Sequence, residues 1–456
     1  MSIDRFPDGW TQVTLQSIAS WGSGGTPSRS QNEYYNGEIP WIKTGDLGPK
    51  IITQASEFIT EAGVKNSSAK FFTKGSVVLA MYGATIGKTS ILGIDATTNQ
   101  ACAVGTPTAG ITSSEFLYYL LLNEKKAFIK KGKGGAQPNI SQAVIKEHTV
   151  CLPPIAEQKI IADKLDDLLA RVESIKTRLE NIPEILKKFR QSVLSAAVSG
   201  KLTEEWRRGD AFVTVQGVLG NYVEIDIGHA FKSQGFTATG VKLLRGQNIE
   251  PGALKWNDTK FYPDEILNCF SHLVINAGDI ILAMDRPIIS TGLKLARATE
   301  NDLPCVLVQR VARFKNFINI NSDFLFILLS DPSFANYIQP NQTGSDIPHI
   351  SGKQILSYNV KIPNIDEQTE IVRRVEDLFD YIEIIIKQTN NALLRINNLT
   401  QSILAKAFRG ELTAQWREEN PELISGLNSA EALLEKITAE KLAAGTVKKR
   451  AKKTSH

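Results

Sequence analysis

The residue types that support covalent chemistry occur in this chain, but they do not form a complete catalytic motif. Gly83 to Thr89 reads GATIGKT and resembles a phosphate-binding loop, yet three residues separate its two glycines where that loop requires four. Asp331-Pro332-Ser333-Phe334 lacks the second proline of the Asp/Asn-Pro-Pro-aromatic motif of adenine methyltransferases, and a helix that begins at Pro332 explains it better. We therefore predict no catalytic residue.

The histidines and cysteines show no spacing typical of a metal site, so we predict none. They are His148, His229, His272, His349, His456, Cys102, Cys151, Cys269 and Cys305. Scattered cysteines favour a reducing compartment, and the longest apolar runs are far shorter than the ~20 residues of a membrane helix. The first ten residues lack the apolar stretch of an export signal. These features predict a cytoplasmic protein without a membrane span.

Polar side chains suited to reading DNA bases lie in and beside glycine-containing loops. Arg and Lys suit the O6 and N7 atoms of guanine, Asn and Gln suit the edge of adenine, and loop amides suit phosphate. The candidates in the first half are Lys43, Thr44, Tyr82, Thr85, Lys88, Asn99, Gln100, Gln137 and Asn139, and those in the second half are Arg245, Gln247, Asn248, Arg286, Gln309, Arg310 and His349. We predict that a subset of them contacts double-stranded DNA.

These candidates are distributed over two copies of one pattern. Pro138-Asn139-Ile140-Ser141 returns as Pro348-His349-Ile350-Ser351, and Gly200-Lys201-Leu202-Thr203 returns as Gly410-Glu411-Leu412-Thr413. Upstream of these matches the two halves diverge. Each half therefore has a variable part of about 140 residues followed by a uniform part, which predicts a pseudo-two-fold tandem repeat.

Each variable part predicts an α+β domain with more strand than helix. The runs 76–80 and 279–283 are strand-like and bounded by glycine, and polar loops connect such runs. Ser113 and Asn321 precede apolar runs and are predicted helix N-caps. The predicted fold class is α+β, with two mixed sheet-containing domains joined by two long antiparallel coiled-coil helices.

The uniform parts predict these helices, because apolar residues recur at alternating steps of four and three. The predicted seam is Ile161, Leu165, Leu168, Val172, Ile175 and Leu179 in the first copy, and Ile371, Val375, Leu378, Ile382 and Ile385 in the second. We expect the two stripes to bury each other. Pro183, inside the first helix, should kink or restart that helix, with Asn181 as a cap, and we expect a bend and not a break in the fold.

The length of the first helix suits a spacer on DNA. About 36 residues, from Ile161 to Ala196, span roughly 54 Å at ~1.5 Å each, which corresponds to about 16 base pairs. The net charge is +4, and the tail from Lys448 to Lys453 carries five cations, so bulk charge neither requires nor excludes DNA. We expect this tail to be disordered and dispensable for specificity.

Several segments resemble landmarks of the specificity (S) subunits of type I restriction-modification enzymes, and the resemblance covers nearly the whole chain. The segments similar to a target-recognition domain are WGSGGTPS (21–28), IPWIKTGD (39–46), the loop 83–88, TNQA (98–101) and QPNI (137–140). LPPIAEQ (152–158) and GKLT (200–203) are similar to the conserved regions of the family. Residues 390–417 are most similar to its IA subgroup.

The resemblance implies a non-catalytic DNA reader. Each of two target-recognition domains would bind one half of a bipartite asymmetric site, and the helices would set the gap. The helices would dock two methyltransferase (M) subunits and, indirectly, the restriction/translocase (R) subunits, so that the chain directs both methylation and restriction. No cofactor is implied on this chain, since S-adenosylmethionine belongs to the M subunit, and ATP and Mg belong to the R subunit.

The repeat also predicts the domain boundaries. They are 1–152 for target-recognition domain 1, 153–207 for the central conserved helical region, 208–362 for target-recognition domain 2, 363–417 for the distal conserved helical region and 418–456 for a C-terminal segment with the basic tail. The second variable part has Arg286-Pro287-Ile288-Ile289 in place of the loop 83–88, so we expect unlike half-sites.

Two other functions fit parts of the pattern. One is a self-sufficient DNA adenine methyltransferase or nuclease, which would bind S-adenosylmethionine as an isolated chain. The other is a coiled-coil scaffold with no nucleic-acid role, because a heptad pattern indicates architecture and not purpose. A DNA footprint without sequence preference would favour the scaffold.

Overall fold

A computed structural model describes residues 7–133, 138–341 and 348–443 of the chain. The chain divides into two compact units. Unit 1 comprises Met1–Leu179 and Ala392–His456, and unit 2 comprises Glu180–Asn391. Each unit therefore contains one variable part and a portion of each of the two long helices. The candidate Gln137 and the basic tail lie outside the described residues.

Unit 1 contains short strands and helices followed by the start of the first long helix. The strands are β1 (Thr11–Thr14), β2 (Ala19–Ser23), β3 (Tyr35–Ile42), β4 (Ile51–Ile52), β5 (Glu57–Ile59), β6 (Phe71–Phe72), β7 (Val77–Ala80), β8 (Thr89–Leu92), β9 (Ala96–Thr98), β10 (Cys102–Pro107) and β11 (Thr149–Leu152). The helices are α1 (Leu15–Ile18), α2 (Glu61–Lys65), α3 (Ser114–Asn123), α4 (Lys125–Lys131), α5 (Gln142–Lys146) and α6 (Ile155–Val198).

Two sheets of unit 1 share a core. One has the strand order β2-β10-β7-β8-β4 and the other β5-β3-β9-β6, while β1 pairs with β11. Strand β7 is buried on both faces: Val77 and Leu79 pack with Phe116 of α3, and Val78 packs with Ile42 of β3. This double burial explains why the segment reads as an unbroken apolar run.

Unit 2 repeats this arrangement. The strands are β12 (Thr214–Val218), β13 (Glu224–Ile227), β14 (Val241–Leu244), β15 (Ile249–Glu250), β16 (Ala253–Leu254), β17 (Phe261–Tyr262), β18 (Ile280–Ala283), β19 (Ile288–Ile289), β20 (Gly292–Leu293), β21 (Leu295–Arg297), β22 (Cys305–Leu307), β23 (Val311–Lys315) and β24 (Asn359–Pro363). The helices in chain order are α7 (Ile266–Cys269), α8 (Ser322–Ser330), α9 (Pro332–Asn341), α10 (Gly352–Leu356) and α11 (Ile365–Phe408), which is followed in unit 1 by α12 (Ala414–Glu419) and α13 (Ala430–Ala443).

The sheets of unit 2 have the orders β13-β23-β18-β21 and β17-β14-β22, and β12 pairs with β24. Strand β18 is buried on both faces, with Ile280 and Leu282 against Phe324 of α8 and Ile281 against Leu244 of β14. The predicted strands at 76–80 and 279–283 are thus confirmed as β7 and β18. The predicted N-caps are also confirmed, since the Ser113 side chain accepts from Phe116 N and the Asn321 side chain from Phe324 N.

Within each unit the long helices α6 and α11 pack against each other in antiparallel fashion. In unit 1, Leu165 of α6 shares a core with Ile403 of α11, and Lys164 Nζ donates to Leu412 O just beyond α11. In unit 2, Val193 near the end of α6 shares a core with Val375 near the start of α11. The predicted antiparallel pairing is therefore confirmed in each unit.

The predicted seam is only partly closed. Ile161, Leu165, Val172, Ile371, Val375 and Ile382 are buried, whereas Leu168, Leu179, Leu378 and Ile385 are partly exposed. Ile175 is 49% exposed, so the expectation that it is buried is wrong. In unit 1, Ala162 and Leu404 are also buried, although they lie outside the predicted seam. A helix that packs on a domain buries a wider apolar stripe than the a and d positions of a coiled coil.

Of the two alternatives at Pro183, the structure excludes a restart of the first helix, and the bend stays a prediction. Helix α6 continues through this residue to Val198, and Asn181 does not cap a new helix. Pro183 itself is exposed on the surface of the helix, and its ring removes one backbone hydrogen bond without ending the helix.

A reciprocal clamp links the end of each long helix to the start of the other. In unit 1, buried Glu157 near the start of α6 accepts from Trp10 Nε1 at 2.8 Å and from Thr413 Oγ1 at 2.6 Å, and it pairs with Arg417. Thr413 and Arg417 follow Gly410, which ends α11 with a φ of +76°. The turn at Gly410 returns the chain to the start of α6.

The clamp of unit 2 uses the same residue types. Glu367 near the start of α11 accepts from Thr203 Oγ1 at 2.7 Å and pairs with Arg207. These two residues follow Gly200, whose φ is +74° at the end of α6. The repeated motif Gly-x-Leu-Thr therefore closes the helix pair within each unit.

Candidate nucleic-acid interface

Five of the predicted base-reading residues of unit 1 lie side by side. We call this surface row 1, and its members are Lys43, Tyr82, Asn99, Gln100 and Asn139. Main-chain hydrogen bonds join the segments that carry them: Asn99 N donates to Ile42 O at 2.9 Å, Met81 N to Ala101 O at 2.8 Å, and Gly83 N to Pro138 O at 2.8 Å.

The side chains of row 1 differ in exposure. Tyr82 is 44% exposed, and Gln100 is exposed with its Oε1 accepting from Thr26 Oγ1. Asn99 is half-buried, and its Oδ1 has no hydrogen-bond partner among the described residues. Lys43 Nζ donates to Glu57 Oε1 at 2.6 Å. Row 1 thus offers an aromatic face, amides and one cation to a partner.

Unit 2 has an equivalent surface, row 2. Val308 N donates to Leu244 O at 3.1 Å, Met284 N to Arg310 O at 2.9 Å, and Arg286 N to Pro348 O at 2.7 Å. Because each of these bonds matches one in unit 1, the correspondence between the halves can be assigned residue by residue. Row 2 consists of Arg245, Arg286, Gln309, Arg310 and His349, at the positions of Lys43, Gly83, Gln100, Ala101 and Asn139.

Two arginines of row 2 have left-handed backbones, with a φ of +42° at Arg286 and +68° at Arg310. The position of Arg286 is occupied in unit 1 by Gly83, whose φ is +60°. Such conformations favour glycine, because a side chain there meets the following carbonyl oxygen. Unit 2 therefore carries a large cationic side chain where the backbone alone would favour none.

The remaining candidates lie beside the rows. Thr44 follows Lys43, and Thr85 Oγ1 donates to Tyr82 O at 2.7 Å. Lys88 is exposed on the loop between β7 and β8, which also contains Thr85. Its equivalent in unit 2 is Lys294, since Lys88 O and Lys294 O accept from Ala80 N and Ala283 N. Lys294 is only 8% exposed, and burial lowers the pKa of its ammonium.

Two candidates of unit 2 support their own loop. Asn248 is 2% exposed; its Oδ1 accepts from Arg245 N at 3.2 Å and its Nδ2 donates to Lys255 O at 3.0 Å. Gln247 Nε2 donates to Asp258 Oδ2 at 2.6 Å and remains near Arg245. The buried amide of Asn248 holds the loop in shape, so we infer that it contacts no base in this conformation.

Reasoning from sequence missed a group of lysines next to row 1. Helix α4 and the two residues after it contain Lys125, Lys126, Lys130, Lys131 and Lys133. The main chain of Lys133 pairs with Asn139 of row 1 through two hydrogen bonds of 2.9 Å. The charge run from residue 125 was visible in the sequence, but its position beside row 1 depends on this pairing.

The structure agrees with the exclusion of a phosphate-binding loop. GATIGKT joins two antiparallel strands, β7 and β8, in which Leu79 pairs with Thr89. A phosphate-binding loop instead opens a helix, whose N-terminal amides receive the phosphate. Pro332 begins α9, as predicted. The described residues contain no group of His, Cys, Asp or Glu able to hold a metal ion, and no helix among them has the length and apolar character of a membrane span.

Comparison with known proteins identifies the class to which this fold and these rows belong. The family model described as "Type I restriction modification DNA specificity domain" matches residues 7–184 and 232–395. The two matched segments together cover most of the chain, so the chain belongs to this family, as its sequence landmarks predicted. Its role is DNA sequence specificity, and members of this family are non-catalytic components of the restriction-modification complex.

Individual relatives support this assignment over the full length. The chain is 37% identical over 474 residues to the EcoKI specificity subunit of Escherichia coli strain K12, and the match covers 100% of both chains. It is 34% identical over 469 residues to the StySPI specificity subunit of Salmonella potsdam, covering 99% of this chain and 100% of the relative. The predicted likeness to the IA subgroup is confirmed by these relatives.

Solved structures show the same fold at low sequence identity. The HsdS subunit from Thermoanaerobacter tengcongensis has a TM-score of 0.59 and 17% identity, with 89% of this chain and 98% of that chain covered. A chain from work on complex assembly and conformational transition of the type I R-M system has a TM-score of 0.61, 17% identity and coverages of 89% and 99%. The predicted α+β class with two sheet-containing domains and two long helices is confirmed.

Proposed function

We propose that row 1 and row 2 each read one half of a bipartite, asymmetric DNA site. The observation that carries this proposal is that positions of row 2 correspond to positions of unit 1 with unlike side chains. Gly83 and Ala101 of unit 1 correspond to Arg286 and Arg310 of unit 2. Because Arg suits the O6 and N7 atoms of guanine, row 2 would favour a half-site richer in guanine contacts than the half-site of row 1.

We further propose that α6 and α11 set the gap between the half-sites and dock two M subunits. Helices of 44 residues have a length of about 66 Å, which exceeds one turn of duplex DNA. Their surfaces carry exposed apolar side chains, among them Ile185 at 61% and Leu394 at 64% exposure. Ile185 and Phe189 lie one turn apart on α6, and neighbouring exposed apolar side chains favour a surface that binds another protein.

The partners would supply the chemistry. S-adenosylmethionine would be bound by the M subunits, and ATP and Mg by the R subunits, so that one chain directs both methylation and restriction. An isolated chain should therefore bind no S-adenosylmethionine in calorimetry, whereas the assembled methyltransferase should bind it. Binding by the isolated chain would favour a self-sufficient methyltransferase instead.

Methylome sequencing of a host that carries this chain and its M subunits tests the proposal directly. We expect one motif with two unlike halves separated by a fixed gap. Replacing Arg245 and Arg310 with alanine should relax the sequence of one half only, and replacing Lys43 and Tyr82 should relax the other. A continuous motif, or loss of both halves with either variant, would contradict the proposal.

A further inference from the structure

An acidic side chain forms an ion pair with Lys43, the cation of row 1. Glu57 lies on β5, next to β3, and accepts from Lys43 Nζ at 2.6 Å and from Arg29 Nη2 at 2.8 Å. The Arg29 guanidinium also lies 4.4 Å from the ring centroid of Tyr35, which gives it a second contact in this cluster. Hydrogen bonds from Lys43 and Arg29 lower the pKa of Glu57, so its carboxylate is charged at neutral pH.

An acidic side chain also contacts the corresponding cation in unit 2, from a position two residues before the one that matches Glu57. Arg245 Nη2 donates to the main-chain O of Asp258 and, at 3.2 Å, to its Oδ2, which also accepts from Gln247 Nε2 at 2.6 Å. Lys260 Nζ lies 3.2 Å from the other carboxylate oxygen. Asp258 precedes β17, which pairs with β14 as β5 pairs with β3. Hydrogen bonds from Lys260 and Arg245 lower the pKa of Asp258.

The two clusters share an arrangement that differs from an ordinary surface ion pair. In each, one carboxylate binds the cation of the row together with a second polar side chain, which is Arg29 in unit 1 and Gln247, from the same loop as Arg245, in unit 2. A flexible Lys or Arg side chain loses rotamer freedom when it contacts a base. If the carboxylate already restricts the side chain before DNA binds, less conformational entropy is lost on binding. The same carboxylate opposes phosphate, so it disfavours DNA contacts that do not use the row.

We propose that Glu57 and Asp258 are positioning residues for DNA reading, which orient Lys43 and Arg245 toward the base edge. The inference rests on the proposed reading of one half-site by each row. Each acid would act only by orienting its cation, and neither acid would contact a base itself.

The test uses the full chain assembled with its M subunits and a pool of linear duplexes of random sequence. The Lys43→Ala variant first identifies the base position that depends on Lys43. Glu57→Gln should relax the same position on the order of tenfold and leave the other half-site unchanged, since a good bidentate contact discriminates by about that much. Asp258→Asn should act likewise on the position that depends on Arg245.

Two exposed acids supply controls with the same change of charge. Glu38 lies on β3, and Asp264 follows β17. Glu38→Gln and Asp264→Asn should strengthen binding to unrelated duplex a few-fold, as any lost negative charge near DNA does, while base preference stays as in the wild type. Relaxation by the controls equal to that of Glu57→Gln and Asp258→Asn would overturn the inference.

The double variant separates positioning from direct reading. If Glu57 acts through Lys43, adding Glu57→Gln to Lys43→Ala should cause no further relaxation. Further relaxation, or relaxation at a different base position, would mean that Glu57 reads a base itself and would overturn the inference. If the wild-type complex selects no bipartite site, the proposed function fails; if it does and Glu57→Gln changes nothing, only the positioning role fails.

Discussion

At the scale of single residues, Arg286 shows a conflict between backbone preference and side chain. Its φ of +42° corresponds to a position that unit 1 fills with Gly83 at +60°. A non-glycine residue in this region costs roughly 1 kcal/mol. We therefore expect the arginine side chain to have a role in DNA reading that offsets this cost.

Arg286→Gly should therefore separate stability from reading. We expect an unchanged or slightly raised melting temperature, because the strain is relieved, together with relaxed preference in the half-site of row 2. Thermal denaturation and selection from random duplexes measure the two effects. Reduced stability with intact preference would show that the arginine serves the fold.

The carboxylates of Glu57 and Asp258 predict how base preference depends on pH. Hydrogen bonds lower the pKa of both carboxyl groups, so both groups keep their negative charge as the pH falls from 8 to 6. They become protonated only in more acidic solution. Preference measured at pH 8, 7 and 6 should be constant. A transition near pH 6.5 would instead indicate that a histidine controls reading.

Sequence-based prediction of individual site residues was correct for some positions and not for others. Lys43, Tyr82 and Gln100 were predicted from residue type and loop position, and the structure gathers them. Asn248 was predicted on the same grounds, an amide side chain in a loop, but it is buried. Glu57 could not be predicted, because strand pairing brings it to Lys43 and no spacing rule relates β5 to β3.

At the scale of elements, α4 and α9 occupy matching places after α3 and α8 but carry different charge. Helix α4 and the residues after it have five lysines, whereas Pro332–Asn341 has no Lys or Arg. Because lysines bind phosphate without regard to sequence, unit 1 should contribute more of the salt-dependent affinity than unit 2.

Replacing Lys126, Lys130 and Lys133 with alanine should reduce the slope of log affinity against log salt by up to about 2.7, at ~0.9 for each phosphate contact. Base preference in both half-sites should stay unchanged. Lys159→Ala, on exposed α6, serves as the control. An unchanged slope with the triple variant would place the phosphate contacts elsewhere.

The clamps at Glu157 and Glu367 should dominate the stability of the helix ends. Glu157→Gln leaves the guanidinium of Arg417, whose side chain is 13% exposed, without its buried anion, and removing one member of a buried pair costs about 3 kcal/mol. Asp163→Asn breaks an exposed pair with Lys159 and should cost less than about 0.5 kcal/mol. Denaturant unfolding compares the two, and equal effects would refute the role of the clamp.

At the scale of the whole molecule, the proposed spacer role of the long helices predicts a change in the DNA gap. Deletion of seven residues from α6 and seven from α11 shortens each by ~10 Å, which corresponds to roughly three base pairs. Methylome sequencing should then show the same half-sites with a gap shorter by about three. A folded variant with the original gap would refute the spacer role.

The domain organisation could be predicted from the sequence because the chain contains a tandem repeat. The match of Pro138–Ser141 with Pro348–Ser351 predicted two copies of one domain, and the structure places Pro138 and Pro348 in equivalent hydrogen bonds. Partial closure of the seam was less accessible, since the packing of each helix on its domain decides which side chains are buried. The proposed division of the chain at residues 152, 207, 362 and 417 stays a prediction.

The division of the chain between the two units has a consequence for its synthesis. Unit 2 is one uninterrupted segment, Glu180–Asn391, whereas unit 1 also requires residues from Ala392 onward. During translation, unit 2 can fold once its single segment has left the ribosome. Unit 1 cannot complete its core at that stage, because Leu165 and Val172 stay uncovered until Ile403 and Arg417 have been synthesised. The half that is translated first is thus the last to be completed, and a ribosome that stops before residue 392 releases a chain with an open apolar face.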